Sequence, residues 1–108
     1  MIARTRLVDI PSGTYDATLS DDIILVRHVG ATATVRLYGS QLRTVPDGTK
    51  VTIKDYTGNA ATFNITILAV SAGIQRVFEN GTNTLLITTD YGFVTLVFNA
   101  FGQIWVAV

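Results

Sequence analysis

Residues 83–108 constrain the fold most. They read Asn-Thr-Leu-Leu-Ile-Thr-Thr, a break at Tyr91-Gly92, then Phe-Val-Thr-Leu-Val-Phe. An Asn-Ala-Phe-Gly turn follows, and then Gln-Ile-Trp-Val-Ala-Val. This pattern predicts three consecutive β-strands. A strand with one face in water alternates apolar and polar residues. The last two strands are apolar at both parities, so both of their faces need cover. A second sheet with its loops can supply it, and so can another copy of the chain. The candidate oligomer interface therefore lies here, at Phe93, Val94, Leu96, Phe98, Ile104, Trp105 and Val106. The feature points to assembly rather than catalysis.

Composition narrows the class further. A length of 108 residues suits one domain, which can bury a core without disulfides or metals. There is no cysteine, so neither a disulfide framework nor a thiolate metal site is available. Eight Lys+Arg balance eight Asp+Glu with no like-charge run. That balance gives no reason to expect a nucleic-acid partner, which calls for a basic excess. Charged residues make up 15% of the chain, against about 25% in a typical soluble domain. Hydrophobic residues make up 48%. Such a surface does little to repel neighbours and favours an oligomer or a docked protein. No segment approaches the roughly 18 apolar residues of a spanning helix, so no membrane partner is expected. Arg4 and Arg6 interrupt the N-terminal apolar residues where a signal peptide needs an uninterrupted core. Synthesis in a cytoplasm is the expectation.

Gly, Asn, Asp and Pro punctuate the chain at short intervals, with Thr, Val and Ile between them. Short strands joined by tight turns follow from this pattern. Strands are predicted at 15–19, 23–28, 32–38, 49–54, around Phe63 to Ile67, and at 74–78, ahead of the final three. Pro46-Asp47-Gly48, Asp55 to Asn59 and Glu79-Asn80-Gly81 read as turns. No capped stretch of helical periodicity occurs. The expected fold is all-β: a single-domain antiparallel β-sandwich, jelly-roll-like, over residues 14–108. A short N-terminal arm over 1–13 ends at Pro11-Ser12-Gly13.

Candidate reactive groups have plain structural explanations. His28 is the sole histidine and lacks metal-ligand spacing to any other, so it reads as structural, at a subunit contact. Asp21-Asp22 reads as a turn former rather than half of a cation site. Asp47, Asp55, Glu79 and Asp90 sit beside turn residues, and turn chemistry accounts for them. There is no Gly-x-Ser-x-Gly elbow and no glycine-rich phosphate loop. No catalytic residue, metal ligand or cofactor is expected, and the chain reads as a non-enzyme. Asn64-Ile65-Thr66 and Asn80-Gly81-Thr82 match a glycosylation pattern that a chain without a secretion signal does not use. Tyr38, Tyr56, Tyr91, Phe98, Phe101 and Trp105 could supply a sugar-stacking platform. Core and interface packing is the alternative, favoured for Trp105. Tyr56 and Tyr91, both at turns, are the exposed recognition aromatics of that alternative.

A longer pattern carries a resemblance. Ser20 to Val26 is followed by an alternating Ala/Thr-rich strand ending at Leu37 and a Pro-Asp-Gly turn. Then come Val51-Thr52-Ile53-Lys54-Asp55-Tyr56-Thr57-Gly58-Asn59-Ala60-Ala61, Asn64-Ile65-Thr66-Ile67, Leu86 to Gly92, and Trp105-Val106. This order, over residues 14–108, resembles a β-module of tailed-bacteriophage virion proteins, found in tail fibres, head fibres and small capsid proteins. Where many of those carry Ile-Asp-Gly before the Thr-rich strand, this chain has Val77-Phe78-Glu79-Asn80-Gly81. The resemblance implies a structural role without catalytic residues, and a homotrimer rather than a homodimer. The chain shows no heptad run or repeating shaft of a fibre stalk. The expected function is therefore a capsid decoration (cement) protein on the virion surface, with the major capsid protein and itself as partners. Arg4, Arg6, Leu7 and Val8 of the arm are the candidate capsid-binding residues. A fibre-type receptor- or glycan-binding module is the alternative.

Overall fold

The computed structural model describes residues 5–37, 45–71, 74–75 and 77–108, with side chains at all of these except 70, 71, 74, 75 and 77. Every regular element among them is a strand: β1 (Leu7–Ile10), β2 (Gly13–Asp16), β3 (Ile23–Val26), β4 (Ala33–Arg36), β5 (Lys50–Asp55), β6 (Ile65–Leu68), β7 (Val70–Ser71), β8 (Ile74–Gln75), β9 (Val77–Phe78), β10 (Thr84–Ile87), β11 (Phe93–Asn99) and β12 (Ile104–Ala107). They form a six-stranded sheet in the order β1-β3-β5-β11-β12-β9, a four-stranded sheet in the order β10-β6-β4-β2, and a small β7-β8 ribbon.

Period-two alternation decides which side chains meet. Ile24, Val26, Val51, Ile53, Leu96, Phe98 and Trp105 of the larger sheet share one core with Ala33, Val35, Ile65, Ile67 and Ile87 of the smaller one. Phe98 and Trp105 are directly opposed on β11 and β12. Their ring centroids lie 5.0 Å apart at a tilt of 53°, a favourable aromatic geometry. Both are buried.

The pairing departs from the antiparallel jelly roll that the sequence suggests. Both large sheets are mixed. β1, β3 and β5 run parallel in one sheet, while β2, β4 and β6 run parallel in the other. Consecutive strands thus alternate between sheets, and the chain winds three times round the core. Among the described residues, antiparallel pairing enters only where β10 pairs with β6, β11 with β5, β12 with β11, and within the β7-β8 ribbon. The corners explain the difference. Residues 11–12, 27–32 and 56–64 carry the chain across the core to the opposite sheet instead of folding it back as hairpins. Each later strand then returns beside its predecessor, and parallel neighbours result. Corresponding residues stack from coil to coil, as in Thr14-Thr34-Thr66 and Val8-Ile24-Ile53.

Within the N-terminal segment, Leu7–Ile10 form a strand of the larger sheet. β1 lies alongside β3, and Ile10 is 2% exposed within the core. The Arg6 carbonyl accepts N–H bonds from Asp22 and Ile23, and the Ile10 carbonyl accepts one from Arg27. The burial of Ile10 and these backbone bonds hold the segment in the first coil; Arg4 lies outside the described residues.

Candidate functional site: an apolar sheet face with an aromatic end

The two sheets present different outer faces. On the four-stranded sheet, Thr14, Thr34 and Thr66 stand in line, beside a two-bond fork from Arg36 to the Asp16 carboxylate. The same face carries Leu68 beside Arg36, and Leu86, which pairs with Thr66 and is 49% exposed. On the six-stranded sheet, outward residues run in rows across the strands. One row is Leu7-Ile23-Thr52-Thr95, and the next is Asp9-Leu25-Lys54-Phe93. Further along, Lys50 flanks Val97, which lies against Val106, and Ile104 lies opposite Asn99. Thr52 and Thr95 hydroxyls bond each other at 2.9 Å, which satisfies both within the row. Among the described residues, nothing covers this face. Phe93 is 66% exposed and Leu7 62%.

The seven residues proposed from the sequence as an interface divide by strand parity. Leu96, Phe98 and Trp105 turn inward and are buried, and Val94 packs against the core from the same side. Phe93, Ile104 and Val106 face outward. Val97 joins them, and sequence reasoning missed it although it shares the parity of Phe93. Of the proposed arm residues, Arg6 and Leu7 are exposed, and Val8 points inward as a partly buried neighbour of the core.

One end of this face is organised by a buried acid. Asp55 closes β5 with 0% of its surface exposed. Its Oδ1 accepts backbone N–H bonds from Thr57 (3.2 Å) and Gly58 (3.0 Å). Its Oδ2 accepts from Ala60 (2.9 Å) and Tyr91 (3.0 Å). Burial alone would raise the Asp55 pKa, but the N–H bonds from Ala60, Tyr91 and Gly58, with His28 close by, hold it below its ordinary value. His28 is likewise fully buried. Its Nε2 lies 2.6 Å from the Phe63 carbonyl and so donates to it, while Nδ1 sits 3.9 Å from Asp55 Oδ1. The His28 carbonyl accepts from Asn59 Nδ2 and Thr57 Oγ1. The histidine therefore sits inside the fold, away from any surface contact. Together the pair ties the corner after β3, the corner after β5 and the β10–β11 turn into one block.

Other turn acids act similarly at longer range. Asp47 accepts from the Ala100 N–H, Asp90 from Ala61, and Glu79 from Ala107. Asp21 accepts from Thr18 N–H and from the Tyr15 hydroxyl at 2.6 Å, and Asp22 from Arg6 N–H. Burial and the Asp21 carboxylate push the Tyr15 pKa up to about 12. These carboxylates are spent on joining turns to strands. Among the described residues, no group of three or more His, Asp or Glu side chains comes together to hold a metal ion.

The block carries aromatic side chains at its rim. Tyr56 is 45% exposed, with the Arg27 guanidinium 4.3 Å from its ring centroid. Arg27 also pairs with Asp9 at 3.4 Å. Tyr91 is 60% exposed. Lys54 Nζ donates to the Tyr91 carbonyl at 2.8 Å and lies 5.7 Å from the Phe93 ring centroid. Of the remaining aromatics named from the sequence, Phe101 is fully exposed in the turn after the far end of β11, and Tyr38 lies outside the described residues. Neither a protein-family model nor a curated protein matches the chain.

Proposed function

We propose that this chain is a non-enzymatic assembly module that buries the outer face of its six-stranded sheet against further copies of itself. The observation that carries the reading is the run of outward apolar residues across adjoining strands of the larger sheet. The outer face of the smaller sheet is mixed, with a threonine row and a paired Arg36-Asp16 fork beside Leu68 and Leu86. The larger sheet turns exposed Leu7 and Phe93 and half-buried Leu25, Val97, Ile104 and Val106 outward on adjoining strands. Apolar area of this kind, repeated on adjoining strands, marks an interaction surface. Closed rotational symmetry lets identical faces cover one another without open-ended growth.

The resemblance of the sequence to tailed-phage virion modules extends this to a role: a capsid decoration protein, a β-sandwich-like homotrimer docked on the major capsid protein of a shell. Because β1 and the following corner belong to the first coil, the shell-facing part of such a protein is the exposed edge around Arg6 and Leu7 rather than a trailing arm. Co-sedimentation of the purified chain with shells of the virus that encodes it tests this role. Saturable binding that drops for Arg6→Glu/Leu7→Asp supports it. Absence of binding to those shells at micromolar protein refutes it.

A further inference from the structure

We propose that the Tyr91 corner is a saccharide-binding site, with Tyr91 as its stacking platform and Lys54 as a polar contact. Tyr91 stands at the corner end beyond the apolar rows, and Lys54, on the row with Phe93, borders the sheet face.

Tyr91 carries the argument. Its φ is 59°, in the left-handed region that bulky side chains rarely adopt. A turn here is made at lower cost by Gly, Asn or Asp. Gln103 also has positive φ, at 55°, but there a polar side chain closes its own turn by donating to the Ala100 carbonyl. Tyr91 makes no such closure. Its backbone is held from both sides, by Asp55 accepting from its N–H and Lys54 donating to its carbonyl. One edge of its ring lies on Gly58, where a Cβ would come within 2.5 Å of Tyr91 Cζ. Gly58 itself has φ 79°. The corner thus gives up both a side chain at 58 and a relaxed residue at 91, and the ring still stays 60% exposed. Backbone strain of this sort persists where a surrounding structure imposes it, and it concentrates at binding sites.

A held, solvent-facing aromatic ring stacks on the C–H face of a pyranose. Lys54 Nζ and the exposed turn backbone supply donors and acceptors for sugar hydroxyls. An aromatic face beside polar groups fits an amphipathic ring better than a greasy peptide anchor. The formal net charge of +0 disfavours a polyanion.

A printed array of neutral and sialylated oligosaccharides, probed with the full chain, tests the site alongside thermal melts of each variant. Wild type is expected to bind a subset of the sugars, and Tyr91→Phe to keep that binding. Tyr91→Asn is expected to lose at least about tenfold in affinity, the loss of one stacked ring. It should melt no lower than wild type, because Asn accepts the left-handed backbone and retains the N–H bond to Asp55. Val97→Asp/Val106→Asp, on the sheet face, should leave sugar binding intact. A silent array, sugar binding that survives Tyr91→Asn, or a marked fall in Tyr91→Asn melting temperature overturns the proposal.

Discussion

Asp55→Asn is the most informative single change. The carboxylate offers two acceptor oxygens, each bound by two backbone N–H groups. An amide offers one oxygen and one NH2. In one orientation the NH2 faces the Ala60 and Tyr91 N–H groups, and in the other it faces Thr57 and Gly58. Either way two inward-pointing donors lose their acceptor and meet a third donor. Each buried unsatisfied donor costs about 1–3 kcal/mol, so the change costs about 4 kcal/mol in total. That is a large share of the roughly 5–15 kcal/mol that holds a domain of this size together. In urea, with a slope near about 1.5 kcal/mol/M, the midpoint should fall by between about 2 and 3 M. Acid behaviour gives an independent reading. The Asp55 pKa is lower in the folded chain than the ordinary value of an aspartate. Its contribution is therefore fully present above the unfolded pKa and is lost as pH falls through the folded one. Wild type should lose stability below about pH 4, and Asp55→Asn should lack that component of the slope. A midpoint within about 0.5 M of wild type, or an unchanged acid slope, would refute the assignment of Asp55 as the node of the corner block.

Four further outcomes follow. Gly58→Ala drives a Cβ into the Tyr91 ring at a positive φ and should cost about 1–3 kcal/mol; combining it with Tyr91→Gly should recover part of that loss in a double-mutant cycle of urea midpoints. Trp105→Ala empties the centre of the core beside Phe98 and should cost about 3–5 kcal/mol by denaturation. His28→Leu removes the donor to the buried Phe63 carbonyl and should cost about 1–3 kcal/mol, read in the same assay. Thr34→Val, in the middle of the threonine row, should change stability by less than about 1 kcal/mol and leave the assembly state untouched, as measured by chemical denaturation and size-exclusion chromatography.

Strand positions were legible because alternation shows in the sequence: Ala33 and Val35 against Thr34 and Arg36, or Val51 and Ile53 against Thr52 and Lys54. Their direction was not, because parallel and antiparallel strands share the same side-chain period. The threefold winding hides for a related reason. Its corners, at 11–12, 27–32 and 56–64, differ in length, so no constant period appears. Equivalent inward positions also differ in chemistry, with Ile10 and Val26 stacking in register with Asp55. Asp55 was recognisable as a turn residue, since it bonds Thr57 and Gly58 locally. Its bond to Tyr91, 36 residues away, leaves no local mark. The two-faced apolarity of β11 and β12 was visible, but not which parity turns to the core. That choice depends on the neighbouring β5 and on the opposite sheet. Hence Leu96, Phe98 and Trp105 were grouped with Phe93, Ile104 and Val106, while Val97 was passed over.

Sedimentation velocity on wild type and on Val97→Asp/Val106→Asp tests the role of the sheet face most directly. Both substituted residues point outward and leave the Leu96, Phe98 and Trp105 layer in place. Wild type should sediment as a closed oligomer, with a trimer as the proposed form. The double variant should sediment as a folded monomer with an unchanged circular dichroism spectrum. A wild-type chain that stays monomeric at tens of micromolar, or an oligomer that the two aspartates leave intact, would contradict the account.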